Sequence, residues 1–148
     1  MSEPVWRDGW FVVPSRVPYR DLDFFGHVNN ATYFTYFEWA RTLLWFELNG
    51  GSRPEDIGFI VAHAECDFKK QIAMESIEVL VRIGDMRTSS LDFLYEVRKG
   101  DGSLAATGKV TVVLFDWETG AKKPIEDELR RKARARFDAS DARATAVL

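Results

Sequence analysis

Two aspartates, an imidazole and two amides crowd into the first half of one short stretch, YRDLDFFGHVNNATYFTYFEWAR: Asp21, Asp23, His27, Asn29 and Asn30. A carboxylate can attack a carbonyl or take a proton from water. Unpaired backbone N–H groups at a helix start can hold the oxyanion that results. Gly26 permits a tight turn, and Asn29 and Asn30 are good caps for the aromatic run that follows, so acid and donors are expected to share one loop. Phe24 and Phe25 beside the acid are expected to desolvate it in part and raise its basicity. In an extended stretch Asp21 and Asp23, two apart, would point the same way. An Asp-x-Asp with no other context is more often a solvated turn bonded to its own backbone. A calcium loop would need further oxygen ligands and a glutamate at the right distance, and these are missing.

The elements that must position this loop are legible on either side of it. Residues 10–20, with Pro14 and Pro18, suit an extended segment at a sheet edge. Residues 31–48 suit a helix ending at Asn49-Gly50-Gly51. Its polar residues Thr35, Glu38, Arg41 and Thr42 form one narrow stripe, so the helix is expected to be buried nearly all round. The chain from 59 to 115 alternates in period two. Ile60, Ala62, Ala64, Cys66 and Phe68 oppose His63, Glu65 and Asp67; the pattern repeats in Ile77, Val79, Val81 and Ile83, and in Leu91, Phe93, Tyr95 and Val97. KGDGS (99–103) is a hairpin turn, and Gly108 marks a bulge or a close backbone approach. Residues 126–137 suggest a short surface helix, and the Ala/Asp/Arg-rich tail 138–148 a flexible end. The expectation is one α+β domain over 1–137: a curved antiparallel sheet of about five strands, four of them consecutive, around one long buried helix. Open edges on such a sheet make pairing of protomers a physical expectation.

Bulk properties narrow the function classes. The chain has 148 residues and a net charge of −3, which gives no basic field for nucleic acid. Cys66 is the single cysteine, and with only His27 and His63 a structural zinc cluster is not expected. Glu38, Arg41 and Glu47 interrupt the one apolar run that could tempt a membrane assignment. MSEPVWRDGW lacks the basic end and apolar core of a secretory leader. A cytoplasmic protein without a further domain is the expectation.

The loop motif resembles the Asp-x-Asp-x-x-Gly-His-Val-Asn-Asn…Tyr…Phe-Glu-x-Ala-Arg signature of the 4-hydroxybenzoyl-CoA thioesterase family of hotdog-fold proteins. VAHAECDFKKQI is similar to that family's second strand, GDMRTSSLDFLYEV to its Ser-Ser hairpin and ETGAKKPIEDELR to its closing segment, so the resemblance spans about residues 8–132. It implies a hotdog fold, a homodimer or homotetramer, and active sites at the dimer interface. It implies hydrolysis of an acyl-CoA or acyl carrier protein thioester, with no cofactor beyond the CoA of the substrate. Asp23 matches the catalytic carboxylate, as nucleophile or general base; Asp21 matches a frequent but non-catalytic position. The N–H near Asn30 matches the donor that polarises the thioester carbonyl, and His27 a helper.

Phe25 and Tyr33 are candidates to contact substrate, although the helix aromatics serve equally as core. Ser89 and Ser90 either touch the substrate or close a hairpin. His63, beside Glu65 and Asp67, is expected to be structural, and Cys66 on an apolar strand face has no base beside it. Arg130, Arg131, Lys132, Arg134 and Arg136 suit a solvated helix face better than a phosphate site. A hotdog dehydratase is disfavoured by the short Asp23-x-x-x-His27 spacing. A non-catalytic acyl-CoA-binding module is the alternative from another class, and the retained Asp23 weighs against it.

Overall fold

The structure is a computed structural model that describes residues 3–138. The tail expected to be flexible lies outside them, apart from the backbone of Asp138. In chain order the elements are β1 (Val5–Arg7), β2 (Trp10–Arg16), α1 (Thr32–Asn49), β3 (Phe59–Phe68), β4 (Ser76–Met86), β5 (Ser90–Arg98), β6 (Leu104–Asp116), β7 (Ala121–Lys122) and α2 (Asp127–Ala133). The strands form one antiparallel sheet in the order β1-β2-β4-β5-β6-β3, with β7 pairing the end of β6.

The sheet has seven strands where about five were expected. One added strand, β1, folds back on β2 through Asp8-Gly9, both at positive φ (52° and 82°), which is the two-residue hairpin turn that matches strand twist. It pairs only with Trp10–Val12, so Pro14 lies on the part of β2 left as an edge, where its missing N–H costs no ladder bond. The four strands expected to be consecutive are so in sequence only, because β3 crosses to the far edge, beside β6.

Period-two alternation builds the core. Ile77, Val79, Val81 and Ile83 of β4, Leu91, Phe93, Tyr95 and Val97 of β5, and Ala106, Val110, Val112 and Leu114 of β6 are all buried in one cluster. Helix α1 lies against them through Tyr33, Phe37, Ala40, Leu44 and Leu48. Each large apolar side chain buried this way contributes about 1.5–3 kcal/mol. Phe37 stacks on Tyr95 at 4.2 Å and presses onto Gly108, where a Cβ would meet ring carbons at 2.4 and 2.6 Å. Gly108 is therefore the close approach its sequence position suggests.

The helix is not buried all round. Phe34, Thr35, Glu38 and Trp39 form an outward face, while Arg41, assigned by spacing to the polar stripe, is only 7% exposed, with Glu38 at 3.8 Å. The segment expected to be a short surface helix is helical over Asp127–Ala133 and is anchored. Leu129, Ala133 and Phe137 are buried, Lys132 Nζ donates to the Leu48 carbonyl at the end of α1 (2.8 Å), and Arg136 sits over the Trp6 ring at 4.4 Å.

Strand β3 is the anomaly. It runs for ten residues at the sheet edge, and only Phe59 and Cys66 escape full exposure. A bulge at Ala62 shifts its register, pairing Ile60 with Val113 and His63 with Thr111. Ile60 thus joins His63, Glu65 and Asp67 on one face, against the unbroken alternation expected.

Candidate active site

Loop 22–28 is a small hairpin of its own. Asp23 N–H donates to the His27 carbonyl (2.7 Å), Gly26 N–H to the Asp23 carbonyl (3.0 Å), and Leu22 bridges Val28. Gly26 has φ +79°, a conformation that L side chains rarely adopt, so glycine is what lets the chain reverse there. Val28 N–H then donates to the Ile72 carbonyl (2.8 Å), which ties the loop to the segment leaving β3.

The two aspartates part company. Asp21 ends a 3-10 turn (Tyr19–Asp21) rather than lying in an extended stretch, and its carboxylate accepts the Tyr36 hydroxyl at 2.7 Å. Burial, and then this bond, hold the Tyr36 hydroxyl well above the ordinary tyrosine range, so it remains a donor. Asp23 turns into its own loop. Its Oδ1 accepts the backbone N–H groups of Phe25 (2.9 Å) and His27 (3.2 Å), and its Oδ2 has no hydrogen bond among the described residues. One oxygen is pinned and the other is left without a partner among the described residues.

Phe24 and Phe25 do not shield the acid within one chain. They pack edge-on against each other at 5.7 Å and project from the turn, 98% and 77% exposed. A turn this tight leaves its two central side chains nothing to pack against, whatever their hydrophobicity.

The helix start also differs in detail. Ala31, not an asparagine, occupies the N-cap position, and no side chain caps it directly. Asn29 serves one step earlier: its Oδ1 accepts Ala31 N–H and its carbonyl accepts Thr32 N–H, both at 2.9 Å. The Asn29 N–H, expected to be an unpaired donor, is spent on the Asp21 carbonyl (3.1 Å). The Asn30 N–H has no acceptor among the described residues. Helix geometry leaves such a group for a ligand or water.

These groups share one cleft of about 180 Å³, lined by Asp23, Phe25, His27, Val28, Asn30, Tyr33, Phe68, Lys69, Lys70 and Gln71. Tyr33 forms its floor, with its ring edge-on to Phe68 at 5.0 Å; burial first, then Cys66 and Glu75, push its hydroxyl up to about 12, so it is a neutral donor. A polarised carbonyl placed between the Asn30 N–H and the open oxygen of Asp23 would meet both parts needed for acyl transfer. The wall from Phe68 to Gln71 escaped the sequence reading, because period-two patterning says only that the strand ends there. The doubled lysine just after an apolar position was the available signal.

Ser89 and Ser90 do not join the cleft in one chain. Ser90 pairs with Val113, whereas Phe68 of the cleft pairs with Ala106, seven residues away along β6, or roughly 23 Å. Their hairpin is held by Arg87, whose Nε donates to Ser90 Oγ (2.8 Å) and whose Nη2 reaches the buried Asp92 carboxylate at 2.6 Å. Burial alone would raise the Asp92 carboxyl, but Arg87 and Thr111 outweigh it and hold the group below the usual range. His63 pairs with Glu65 at 3.2 Å, well exposed and away from the cleft. Burial pushes the Cys66 thiol up to about 11, which leaves it a poor nucleophile. Of the basic stretch, Arg130 donates to the Arg87 carbonyl, and Arg131 lies 3.9 Å from Glu128.

No helix among the described residues is long and apolar enough to cross a membrane, and no group of three or more metal-ligating side chains occurs among them.

An antiparallel sheet with one long helix packed on it is the architecture this chain shares with hotdog thioesterases. The chain belongs to the thioesterase-like superfamily, whose model matches residues 17–133. It is 32% identical to the uncharacterized protein YsmA of Bacillus subtilis (strain 168) over 113 residues, 76% of this chain and 77% of that one. A predicted thioesterase from Bacillus stearothermophilus superposes with a TM-score of 0.80 at 24% identity, covering 86% of this chain and 96% of that one. A thioesterase from Thermus thermophilus, solved in complex with coenzyme A and zinc, superposes at 0.75 with 30% identity, covering 86% and 92%.

Proposed function

We propose that this chain hydrolyses acyl-CoA thioesters, as a cytoplasmic enzyme of the 4-hydroxybenzoyl-CoA thioesterase group. The observation that carries the reading is that Asp23, with one carboxylate oxygen unpaired, and Asn30, with its backbone N–H unpaired among the described residues, line one cleft. The thioester carbonyl oxygen takes the Asn30 N–H, and Asp23 either attacks the carbonyl carbon or deprotonates the attacking water. In the first case the CoA thiolate leaves a mixed anhydride that water then cleaves. His27 lines the same cleft with its imidazole unpaired among the described residues and assists as a polar neighbour. Membership in a thioesterase-like superfamily and the coenzyme A bound by the Thermus thermophilus relative support the substrate class.

The working unit in this reading is a homodimer paired through β3. A long exposed edge strand carrying Ile60, Val61 and Phe68 is a template for another strand. Pairing β3 with itself about a two-fold axis reverses it, so the Ile60 end of one copy lies beside the Phe68 end of the other. The Ser89–Ser90 hairpin of the partner subunit, two strands behind its Ile60, then approaches this chain's cleft.

Thiol release from a panel of acyl-CoAs of graded chain length, with benzoyl- and phenylacetyl-CoA, tests the reading. Turnover on at least one member is the expected result. Stoichiometric binding of these thioesters without turnover of any would move the assignment to the non-catalytic acyl-CoA-binding alternative.

A further inference from the structure

Lys69 and Lys70 leave β3 through a second irregularity. Both of their backbone N–H groups donate to the same carbonyl, that of Ala105, at 2.7 and 3.0 Å. Two residues set against one on the neighbouring strand is the pattern of a β-bulge, and it breaks the alternation that would send neighbouring side chains to opposite faces. Both lysines accordingly line the Asp23 cleft. Neither ammonium has an ion pair or hydrogen bond among the described residues; Lys70 feels Asp101 only at longer range. Lys99 nearby is different: its ammonium is spent on Glu75 at 3.3 Å and on the Gln71 carbonyl. Two like charges held side by side repel, and in a chain of net charge −3 this local excess of positive charge sits at the cleft.

We propose that Lys69 and Lys70 form an anion subsite of the Asp23 cleft, taking an anionic oxygen group of the thioester substrate. The proposal rests on the thioesterase reading for its choice of ligand. The pantetheine arm of CoA is roughly as long as four extended residues, about 14 Å. A cleft of about 180 Å³ takes the thioester and little more, so flexible ammonium groups at its wall meet one of two anions. One is the CoA phosphate of a bent arm; the other is a carboxylate at the far end of a short acyl group.

Binding of thioethers, which cannot be hydrolysed, separates these sources and does not depend on turnover. The probes are S-hexyl-CoA, S-hexylpantetheine and S-(5-carboxypentyl)pantetheine, titrated into the full chain and into its Lys69→Gln/Lys70→Gln variant. Both lysines are exposed, so the variant is expected to fold normally. A phosphate-binding pair makes S-hexyl-CoA bind more tightly than S-hexylpantetheine, and the double substitution narrows that gap roughly five- to twenty-fold. A carboxylate-binding pair shows the same narrowing between the carboxypentyl and hexyl pantetheines instead. Rising salt should erode whichever gap is present. Equal affinity ratios in wild type and variant for both pairs of probes would overturn the subsite, as would failure of all three probes to bind. Hexanoyl-CoA turnover by the wild type is read separately. Absence of turnover on that substrate and on every other acyl-CoA of the panel, with the binding gap intact, would sink the thioesterase reading while leaving the subsite standing.

Discussion

Gly108→Ala is a one-methyl change that should reach the Asp23 loop. The added Cβ would sit 2.4 Å from Phe37 Cε2, more than an ångström inside ordinary carbon contact, with the Glu65 carbonyl oxygen at 3.2 Å on another side. Phe37 cannot slide away, because it is fully buried and stacked on Tyr95 at 4.2 Å. The strain must lift α1 from the sheet or push Phe37 off its rotamer, a cost of about 1–3 kcal/mol. For a chain of this size that is a Tm lower by roughly 3–9 °C. Asn30 lies two turns before Phe37, so a lifted helix also moves its N–H relative to Asp23, and kcat should fall several-fold more than KM rises. Urea unfolding and thiol-release kinetics would be run on Gly108→Ala, Phe37→Leu and the double variant. Leucine removes the ring that the methyl strikes, so the double variant should be more stable than the sum of the singles by at least about 1 kcal/mol. Wild-type stability in Gly108→Ala, or strict additivity in the cycle, would refute the packing argument.

Tyr36→Phe removes the hydroxyl that holds the Asp21 carboxylate and should cost about 1–2 kcal/mol in urea unfolding, with only a modest drop in kcat, because Asp23 is oriented by its own loop. Equal losses of kcat in Tyr36→Phe and Asp23→Asn would refute that division of roles. Tyr33 keeps its proton up to about 12 in the folded state against 10.0 in a free chain. Its contribution to stability is therefore intact below pH 10 and is lost as pH rises from 10 toward 12. Denaturation midpoints across that window should fall for wild type and fall less steeply for Tyr33→Phe.

The parts of the fold that depend on periodicity were legible in the sequence. Ile77 to Ile83 and Leu91 to Val97 alternate because one face of each strand meets α1, and Gly108 stood out inside such a strand. The Asp8-Gly9 turn carried the same signal as Asp101-Gly102 but was preceded by too short a strand to weigh. What patterning could not place was anything decided by geometry across the chain. Phe24 and Phe25 are apolar by type and exposed by turn shape; Phe34 and Trp39 are apolar by type and outward by helix phase. The Ala62 bulge and the one at Lys69 each turn side chains to a face that counting residues would deny them. The loop motif pointed to Asp23 and Asn30, while the wall from Phe68 to Gln71 comes from a strand forty residues later and needed the fold.

The most direct test of the central claim is the rate of thiol release by Asp23→Asn on the best acyl-CoA found for the wild type. Asparagine keeps the side-chain oxygen that accepts the Phe25 and His27 N–H groups, so fold, oligomeric state and KM should be nearly unchanged. The account predicts that kcat falls by about 10³-fold, with Asp21→Asn losing far less. A kcat for Asp23→Asn within about ten-fold of wild type, in a normally folded protein, would contradict it.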